Sequence, residues 1–288
     1  MAQTNTFSSW WGRHALTPDR TDFWQVGPLK LWVHSSPHRL QFRWTTGSER
    51  PGTNAGDFLD GHIRSVPGSQ DPSGSLIEAP ANADSITCAY SGTGRGDLVL
   101  SPSLPDRAVV VRTRGTVGVL PGEDVTFYMI VPLSLRIELQ GEPSKLLHEV
   151  PTYRLSDTWF GPMSNMGSLC FASASELYVD LRQVPLRPHC AITAITVRNL
   201  GTDTLKMERL SIPFARLSLF YSQRTGFWTD RLIYERRDDD EMAALKLDRQ
   251  PPQEASPTQF VTGPRLAVGD SSSVVRAFSA IFGDRNQG

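Results

Sequence analysis

Apolar and polar residues alternate with a period of two along much of the chain, which is the pattern of half-buried β-strands. The clearest example is the pair of runs LKLWVHS (29–35) and RLQFRWT (39–45), where leucine, valine, phenylalanine or tryptophan recurs at every second position. The short connection between the two runs contains Pro37. Two such runs across a short turn predict a β-hairpin with one buried face.

Further strand-like runs follow at roughly ten-residue spacing, with turn residues between them. They are DLVLS (97–101), AVVVRT (108–113), DVTFYMIVP (124–132), SLRIEL (134–139), SELYVDLRQV (175–184), two runs within 190–213, RLSLFYS (216–222) and FWTDRLIYERR (227–237). This spacing predicts an all-β protein made of two packed antiparallel β-sandwich-like lobes.

The composition changes along the chain suggest where the lobes lie. We expect an N-terminal lobe over residues 1–145, a C-terminal lobe over 146–240, and a linker with a terminal element over 241–288. Residues 47–84 are rich in glycine, proline, serine, asparagine and aspartate and lack a clear period. They read as a flexible insertion or a functional loop in the N-terminal lobe.

Helical patterning is confined to the end of the chain. The run EMAALKL (241–247) is compatible with a turn or two of helix, and SSSVVRAFSAIFGD (271–284) predicts a short amphipathic helix. Such a helix is too short to be stable alone, so it must dock on this chain or on a partner, and the sequence leaves both open. Its apolar stripe supplies the candidate partner-binding residues Val274, Phe278, Ile281 and Phe282.

Composition and charge exclude several classes of protein. The 288 residues are 39% hydrophobic and 20% charged, with a formal net charge of −1. These values argue against wholesale disorder and against a nucleic-acid-binding surface, and they leave a homo-oligomer open. The sequence shows neither a signal peptide nor an eighteen-residue apolar run, so we expect a cytoplasmic protein without a transmembrane segment. Its three cysteines are widely spaced and read as reduced thiols.

No catalytic or metal-binding motif emerges from the residues. The six histidines lack metal-ligand spacing, although His34 and His38 flank the predicted turn. The glycine-rich run 91–97 reads as a β connection and not as a phosphate loop, and the acidic run 238–241 reads as a solvated end. We therefore predict a non-enzymatic protein that needs no metal or cofactor. An unrecognised hydrolase is the remaining enzymatic alternative.

The segment LSDTWFGPMSNMGSLCFAS (155–173) is the most distinctive stretch of the chain. As a binding loop it would present an acid and an aromatic wall through Asp157, Trp159 and Phe160. As structure it would be an anchored turn leading into the second lobe. We favour the structural interpretation, in which both aromatic rings are buried.

Several segments together resemble domain-of-unknown-function family 432, a group of prokaryotic proteins. They are WWGRHALT, WQVGPLKLWV with RLQFRW, LPGEDVTFYMIVPLSLRI, LSDTWFGP with GSLCFAS, and ITVRNLGTDTLKMERLSIP, and they span about residues 7–235. The resemblance transfers no catalytic residue.

The resemblance implies that the protein is encoded beside small-conductance mechanosensitive channels. The resulting expectation is a cytosolic interaction or scaffold protein that acts as an accessory or regulatory partner of such a channel, peripheral to the inner membrane through that partner. The alternative is a ligand-binding β-sandwich module, above all for carbohydrates, because the chain has seven tryptophans that could stack on sugars. For Trp32 and Trp44 we favour packing over sugar stacking, since both lie in the predicted hairpin.

Overall fold

A computed structural model of the chain describes ten ranges of residues. They are residues 10–48, 63–70, 76–89, 97–141, 143–162, 167–173, 175–237, 242–266, 272–276 and 278–279.

Almost all regular structure in these ranges is β-strand. The strands are β1 (Gly12–His14), β2 (Arg20–Val26), β3 (Leu29–Ser36), β4 (Arg39–Thr45), β5 (Gly47–Ser48), β6 (Ile63–Val66), β7 (Asp84–Ala89), β8 (Leu98–Ser103), β9 (Val109–Val119), β10 (Asp124–Pro132), β11 (Ser134–Leu139), β12 (Lys145–Pro151), β13 (Tyr153–Arg154), β14 (Ser156–Phe160), β15 (Ser168–Ser173), β16 (Cys190–Asn199), β17 (Leu205–Ile212), β18 (Leu219–Ser222), β19 (Gly226–Thr229), β20 (Arg231–Arg236), β21 (Met242–Asp248), β22 (Gln259–Thr262), β23 (Ser272–Arg276) and β24 (Phe278–Ser279).

The helical residues of the described ranges form short 3-10 turns, at Pro67–Ser69, Leu181–Gln183, Phe214–Arg216 and Gln253–Ala255. In the part of the chain that the structure describes, no helix is both long enough and apolar enough to cross a membrane. The all-β fold class predicted from the alternating pattern is confirmed.

The chain divides into two compact units that are interleaved along the sequence. Unit 1 comprises residues 1–103, 132–154 and 187–189, and unit 2 comprises residues 104–131, 155–186 and 190–288. The predicted lobes, in contrast, are continuous segments.

Unit 1 contains a five-stranded and a four-stranded antiparallel sheet. The first has the order β6-β2-β3-β4-β7 and the second the order β1-β8-β11-β12. Trp44 of β4 lies 4.7 Å from His148 of β12, and Trp24 of β2 lies 5.3 Å from His14 of β1, measured between ring centroids. These contacts place the two sheets face to face as a sandwich.

The predicted hairpin is present as β3 and β4 within the five-stranded sheet. The apolar set of the two strands is buried, and it includes Leu31, Val33, Leu40 and Phe42. Because consecutive side chains of a strand point to opposite faces, the other set lies on the outer face of the sheet. That set supplies most of the site described below.

Unit 2 also contains two sheets. One has the order β22-β18-β19-β16-β20-β21-β23, with β10 also paired to β16, and the other has the order β14-β15-β9-β17-β24. The Tyr234 hydroxyl donates to the Ser211 carbonyl at 2.7 Å, and the Asn199 amide donates to the Val119 carbonyl at 2.8 Å. These buried bonds join the two sheets, since each connects a strand of one to a strand of the other.

A bulge interrupts the parallel pairing along β16. Strands β19 and β20 both pair in parallel with β16, and they are separated by one residue, Asp230. The Asp230 side chain is buried and accepts a hydrogen bond from the Ser218 backbone nitrogen at 2.6 Å. Burial raises the pKa of Asp230 above the ordinary aspartate range.

The two helices predicted near the end of the chain are wrong where the structure describes them. Residues 242–248 form β21, which pairs with β20, and residues 272–276 form β23, which pairs with β21. Residues 278–279 form β24, which pairs with β17. Sheet pairing outweighs the weak helical preference of these short runs, since β-branched Val274 and Val275 favour a strand.

The strand predicted at 175–184 is also wrong. Its described residues form an isolated bridge between Tyr178 and Tyr128, followed by the 3-10 turn Leu181–Gln183. Asp180 caps that turn by accepting a hydrogen bond from the Arg182 backbone nitrogen at 2.9 Å. A local side-chain bond of this kind competes with a strand ladder.

The predicted insertion at 47–84 falls partly outside the described residues. Its described part contains β5, β6 and the 3-10 turn Pro67–Ser69, and β6 extends the five-stranded sheet by pairing with β2.

The three cysteines are free thiols, with Cys170 and Cys190 buried and Cys88 half-buried.

Candidate functional site

A cavity of about 920 Å³ lies on the outer face of the five-stranded sheet in unit 1. Its floor is formed by strand side chains, and its cover by two stretches, residues 67–70 and 76–80, which we call the covering segments. The lining comprises residues 17–21, Trp32, His34, Gln41, Arg43, residues 67–70 and residues 76–79.

Strand register sets the floor of the cavity. Trp32 of β3 is directly opposite Arg43 of β4, and His34 is directly opposite Gln41. On the other side of β3, Thr21 of β2 is opposite His34. Directly opposed residues of antiparallel strands project to the same face, so these five side chains form one continuous polar and aromatic surface.

Hydrogen bonds from floor side chains hold the second covering segment in place. The Trp32 indole donates to the Ile77 carbonyl at 2.8 Å, and the Arg43 guanidinium donates to the Pro80 carbonyl at 2.8 Å. The Ile77 backbone nitrogen donates to the Ser69 carbonyl at 2.6 Å, which ties the two covering segments together. The cover is therefore fixed to the floor by side chains that also line the cavity.

Asp22 anchors the first covering segment. Its carboxylate accepts from the Gly68 backbone nitrogen at 2.8 Å and from Arg20 at 3.1 Å. The Ser69 hydroxyl donates to the Thr21 carbonyl at 3.1 Å. Because Asp22 is buried, these bonds satisfy a carboxylate that would otherwise be costly to desolvate.

Backbone strain is concentrated at the rim of this cavity. Asp19 has a φ of 53° and Ser69 a φ of 49°, and they are the non-glycine residues with positive φ in the described ranges. Both line the cavity. Residues held in the left-handed region cluster at ligand-binding and other functional sites.

The floor offers hydrogen-bonding groups to a ligand. Thr21 Oγ1 lies 3.1 Å from His34 Nδ1, so the other ring nitrogen of His34 is available to a ligand. Gln41 is exposed. No carboxylate of the described residues hydrogen-bonds His34.

A second cavity of about 250 Å³ adjoins the first. It shares Trp32, Ile77 and Glu78 with the larger cavity and adds Lys30 and Arg64. The two cavities therefore meet at Trp32 and the second covering segment.

The sequence-predicted loop residues lie elsewhere, on β14 in unit 2. Asp157 is exposed and forms an ion pair with Arg107 at 2.9 Å. Phe160 is buried at 3% exposure, as expected, but Trp159 is 39% exposed, so the expectation that both rings are buried is wrong. Register explains the difference, because adjacent residues of a strand face opposite sides of the sheet.

The Trp159 ring is held against the turn of the β14–β15 hairpin. Its indole nitrogen donates to the Pro162 carbonyl at 2.8 Å. A side chain at Gly167 would collide with the indole, so glycine is required for this close approach. Leu169, directly opposite Trp159 on β15, is 52% exposed. The two side chains give this hairpin an exposed apolar pair.

The predicted partner-binding stripe is not assembled as a helical face. Val274 lies on β23 opposite Ala244, and Phe278 lies on β24 opposite Leu210, so they belong to the edges of two different sheets. Ile281 and Phe282 lie outside the described residues.

The other sequence candidates do not form a metal site in the described ranges. No group of three or more histidine, cysteine, aspartate or glutamate side chains there is placed to hold a metal ion. His34 lies within β3, whereas His38 lies in the turn before β4. Residues 91–96 and 238–241 lie outside the described residues.

Sequence reasoning missed the cavity although it identified two of the three strands that form its floor, β3 and β4. The available signal was the polar set of the hairpin, in which Trp32, His34, Gln41 and Arg43 recur at alternate positions. Solubility requires only polar side chains on a solvent-facing strand. This set instead combines an aromatic ring, an imidazole, an amide and a guanidinium. What the sequence could not indicate is the cover.

Comparison with known proteins identifies a family to which the chain is similar. A family model described as "Protein of unknown function (DUF432)" matches residues 10–282. Searches of curated proteins and of solved structures returned no match. Because the matched residues span nearly the whole chain, the chain belongs to the DUF432 family.

Proposed function

We propose that this protein is a ligand-binding β-sandwich protein that holds a small polar molecule in the cavity over the five-stranded sheet. The observation that carries the proposal is the covered polar floor formed by Trp32, His34, Gln41 and Arg43. The volume of about 920 Å³ suits a small-molecule site. The strained backbone at Asp19 and Ser69 supports the same location.

The cavity favours hydrogen bonding over aromatic stacking. Trp32 is only 4% exposed, because the second covering segment lies over its ring and accepts its N–H. A sugar stacked on the face of Trp32 therefore does not fit this arrangement. A polar ligand bound through the planar amide and guanidinium of Gln41 and Arg43 does.

A cavity-filling variant tests the proposal. We expect that at least one member of a panel of polar metabolites raises the thermal midpoint of the wild-type protein, because a ligand at 100 times its Kd stabilises by about 2.7 kcal/mol. Gln41→Trp places a bulky ring on the floor and should abolish that shift. The measurement is differential scanning fluorimetry with the same panel.

The matched control is Thr87→Trp. Thr87 lies directly opposite Gln41 on the neighbouring strand, is exposed, and does not line the cavity. This variant should respond to the panel like the wild type. An equal ligand-induced shift in Gln41→Trp and in the wild type would contradict the proposed site.

A second candidate function is that of an interaction protein, with a small-conductance mechanosensitive channel as the suggested partner. The observation that favours it is the exposed Trp159–Leu169 pair on the β14–β15 hairpin. Exposed aromatic residues are over-represented at protein–protein interfaces. Association with the inner membrane, a cytoplasmic location and self-association belong to this same proposal.

Copurification from native membranes tests this second candidate. We expect a channel protein to be recovered with the wild type and lost with Trp159→Ser/Leu169→Ser. Leu146→Ser/Leu200→Ser is the control, since both leucines are exposed and neither belongs to the hairpin. Equal recovery of the channel with the two double variants would show that the hairpin is not part of the interface. Failure to recover the channel with the wild type would reject the channel as the partner.

A further inference from the structure

We infer that the ligand of the outer-face cavity is an anion, a small molecule with a phosphate or carboxylate group, and that Arg43 is its main recognition residue. This inference rests on the proposed ligand-binding function and specifies the chemical class of the ligand.

The outer face of the five-stranded sheet is cationic by strand register. Arg43 and Arg39 share one side of β4, Lys30 lies opposite Thr45 on β3, and Arg64 of β6 lies opposite Gln25 of β2. All four cations therefore project to the face that carries the cavity.

No acid shares that face in the five strands. Their two acidic residues are Asp22 and Asp84, and Asp84 is directly opposite Trp44, whose ring packs against His148 inside the sandwich. Asp22 belongs to the same alternate set of β2 as the buried Trp24. Both acids therefore project to the opposite face of the sheet from the four cations.

Arg43 is the cation at the centre of this face, and its charge is not matched by any carboxylate of the described residues. It lies opposite Trp32, on the floor of the large cavity. Its one described hydrogen bond is to the Pro80 carbonyl, and no carboxylate of the described residues lies within ion-pair distance of it. A guanidinium has five N–H donors, so most of its donor fork can face a ligand.

Two acids also line the cavity, but neither belongs to the strands that form its floor. Asp19 precedes β2 and Glu78 belongs to the second covering segment, and both are exposed to solvent. Asp22, the buried acid, already accepts from Arg20 and from the Gly68 backbone. The floor is thus cationic while the acids lie at its edges.

The neighbouring floor groups complete an anion-binding arrangement. Gln41 is next to Arg43 along the outer face of β4 and contributes an amide donor, and His34 contributes a ring nitrogen. A phosphate or carboxylate between these groups would receive charge-assisted hydrogen bonds from the guanidinium, which are about twice as strong as neutral ones. Lys30 and Arg64 in the adjoining cavity would favour a ligand with a second anionic group.

A matched ligand pair tests the inference without knowledge of the natural ligand. Glucose 6-phosphate, glucose and inorganic phosphate are titrated into the 15N-labelled protein, and binding is followed by chemical-shift changes of the cavity-lining amides. We expect both phosphate compounds to perturb Gln41, Arg43 and the covering segments, and glucose to bind at least about tenfold more weakly.

Three variants locate the interaction. Arg43→Gln should weaken phosphate binding by about tenfold or more, and Arg43→Lys should retain part of it because the charge is kept. Arg39→Gln, on the same strand and face but outside the cavity lining, should bind like the wild type. Each variant is first checked for an unchanged thermal midpoint without ligand.

The outcomes separate this inference from the proposed function. Equal binding of glucose and glucose 6-phosphate, lost in Gln41→Trp but not in Arg43→Gln, would overturn the anion assignment and leave the cavity as a ligand site. Equal loss in Arg39→Gln and Arg43→Gln would also overturn it, because the effect would then be general surface charge. Phosphate shifts confined to residues outside the cavity would overturn the anion assignment, whereas the proposed function would fail only if Gln41→Trp left every ligand-induced shift unchanged.

Discussion

Single residues of the hairpin β3–β4 show what a strand pattern does and does not reveal. Alternation correctly identifies Leu31 and Phe42 as core residues and assigns Trp32 and Arg43 to the outer set. It does not reveal that Trp32 is also buried, because its cover comes from Ile77, 45 residues away in the sequence. The role of an outer-face side chain thus depends on a distant segment.

Two histidines in the sandwich of unit 1 should make its stability depend on pH. Burial lowers the pKa of His14 and of His148 below the ordinary value of about 6.5. Between the lowered native pKa and about 6.5 the unfolded chain binds more protons than the native one. The stabilisation is therefore fully present above about pH 6.5 and is lost as the pH falls through that window.

His148→Phe tests this dependence. The ring contact with Trp44 is kept while the titrating group is removed, so the loss of unfolding free energy between about pH 7.5 and about pH 5.5 should be smaller than in the wild type. Urea unfolding at the two pH values measures it. His38→Phe is the control, because His38 is exposed in the turn, and a pH profile that it altered as much as His148→Phe would contradict the assignment.

At the scale of elements, strand existence was more predictable than helix existence. The runs at 29–35, 39–45, 124–132 and 190–199 are strands, as their alternation or β-branched content indicated. The run at 271–284 has apolar residues at helical spacing, but it also contains the β-branched residues Val274 and Val275. The open edges of β21 and β17 provided hydrogen-bond partners for a strand there. A sequence does not display which edges are available.

The β14–β15 hairpin illustrates the same limit on a smaller scale. A turn was predicted within the segment 155–173, but the exposure of Trp159 depends on the pairing of Trp159 with Leu169. The indole is therefore a half-exposed ring that is hydrogen-bonded across the turn, and it is not a core residue. Trp159→Ala should lower the free energy of unfolding by about 1 kcal/mol, which is less than truncation of a buried aromatic residue costs.

A double-mutant cycle at this hairpin tests the close approach of Trp159 and Gly167. Gly167→Ala should be strongly destabilising, because the new methyl group collides with the Trp159 indole and with the Pro162 carbonyl. Trp159→Ala should relieve the first collision, so the double variant should be less destabilised than the sum of the two single variants. Additive changes in unfolding free energy, measured with urea, would show that the two residues do not contact each other.

At the scale of the whole molecule, the fold class follows from the sequence but the division of the chain does not. Each unit is assembled from segments that are far apart in sequence, with residues 132–154 and 187–189 returning to unit 1. Local alternation carries no information about such returns, since partners of a strand are chosen by long-range packing. The same reason explains why the cavity, with its floor from 20–43 and its cover from 67–80, was not predicted.

The DUF432 family assignment and the cavity together give the whole molecule a testable role. The family match extends over residues 10–282, so both units belong to the same family region. If the cavity is the functional site, ligand binding is a property of unit 1, while the exposed hairpin belongs to unit 2. The two proposed functions are therefore separable by substitution.

The most direct test of the central claim is a crystal structure of the protein with the metabolite that stabilises it most. We expect electron density for that molecule in the cavity on the outer face of the five-stranded sheet, beside His34 and Gln41, with an anionic group on the Arg43 guanidinium. Density for the ligand at any other surface, with the cavity filled only by water, would rule out the proposed site.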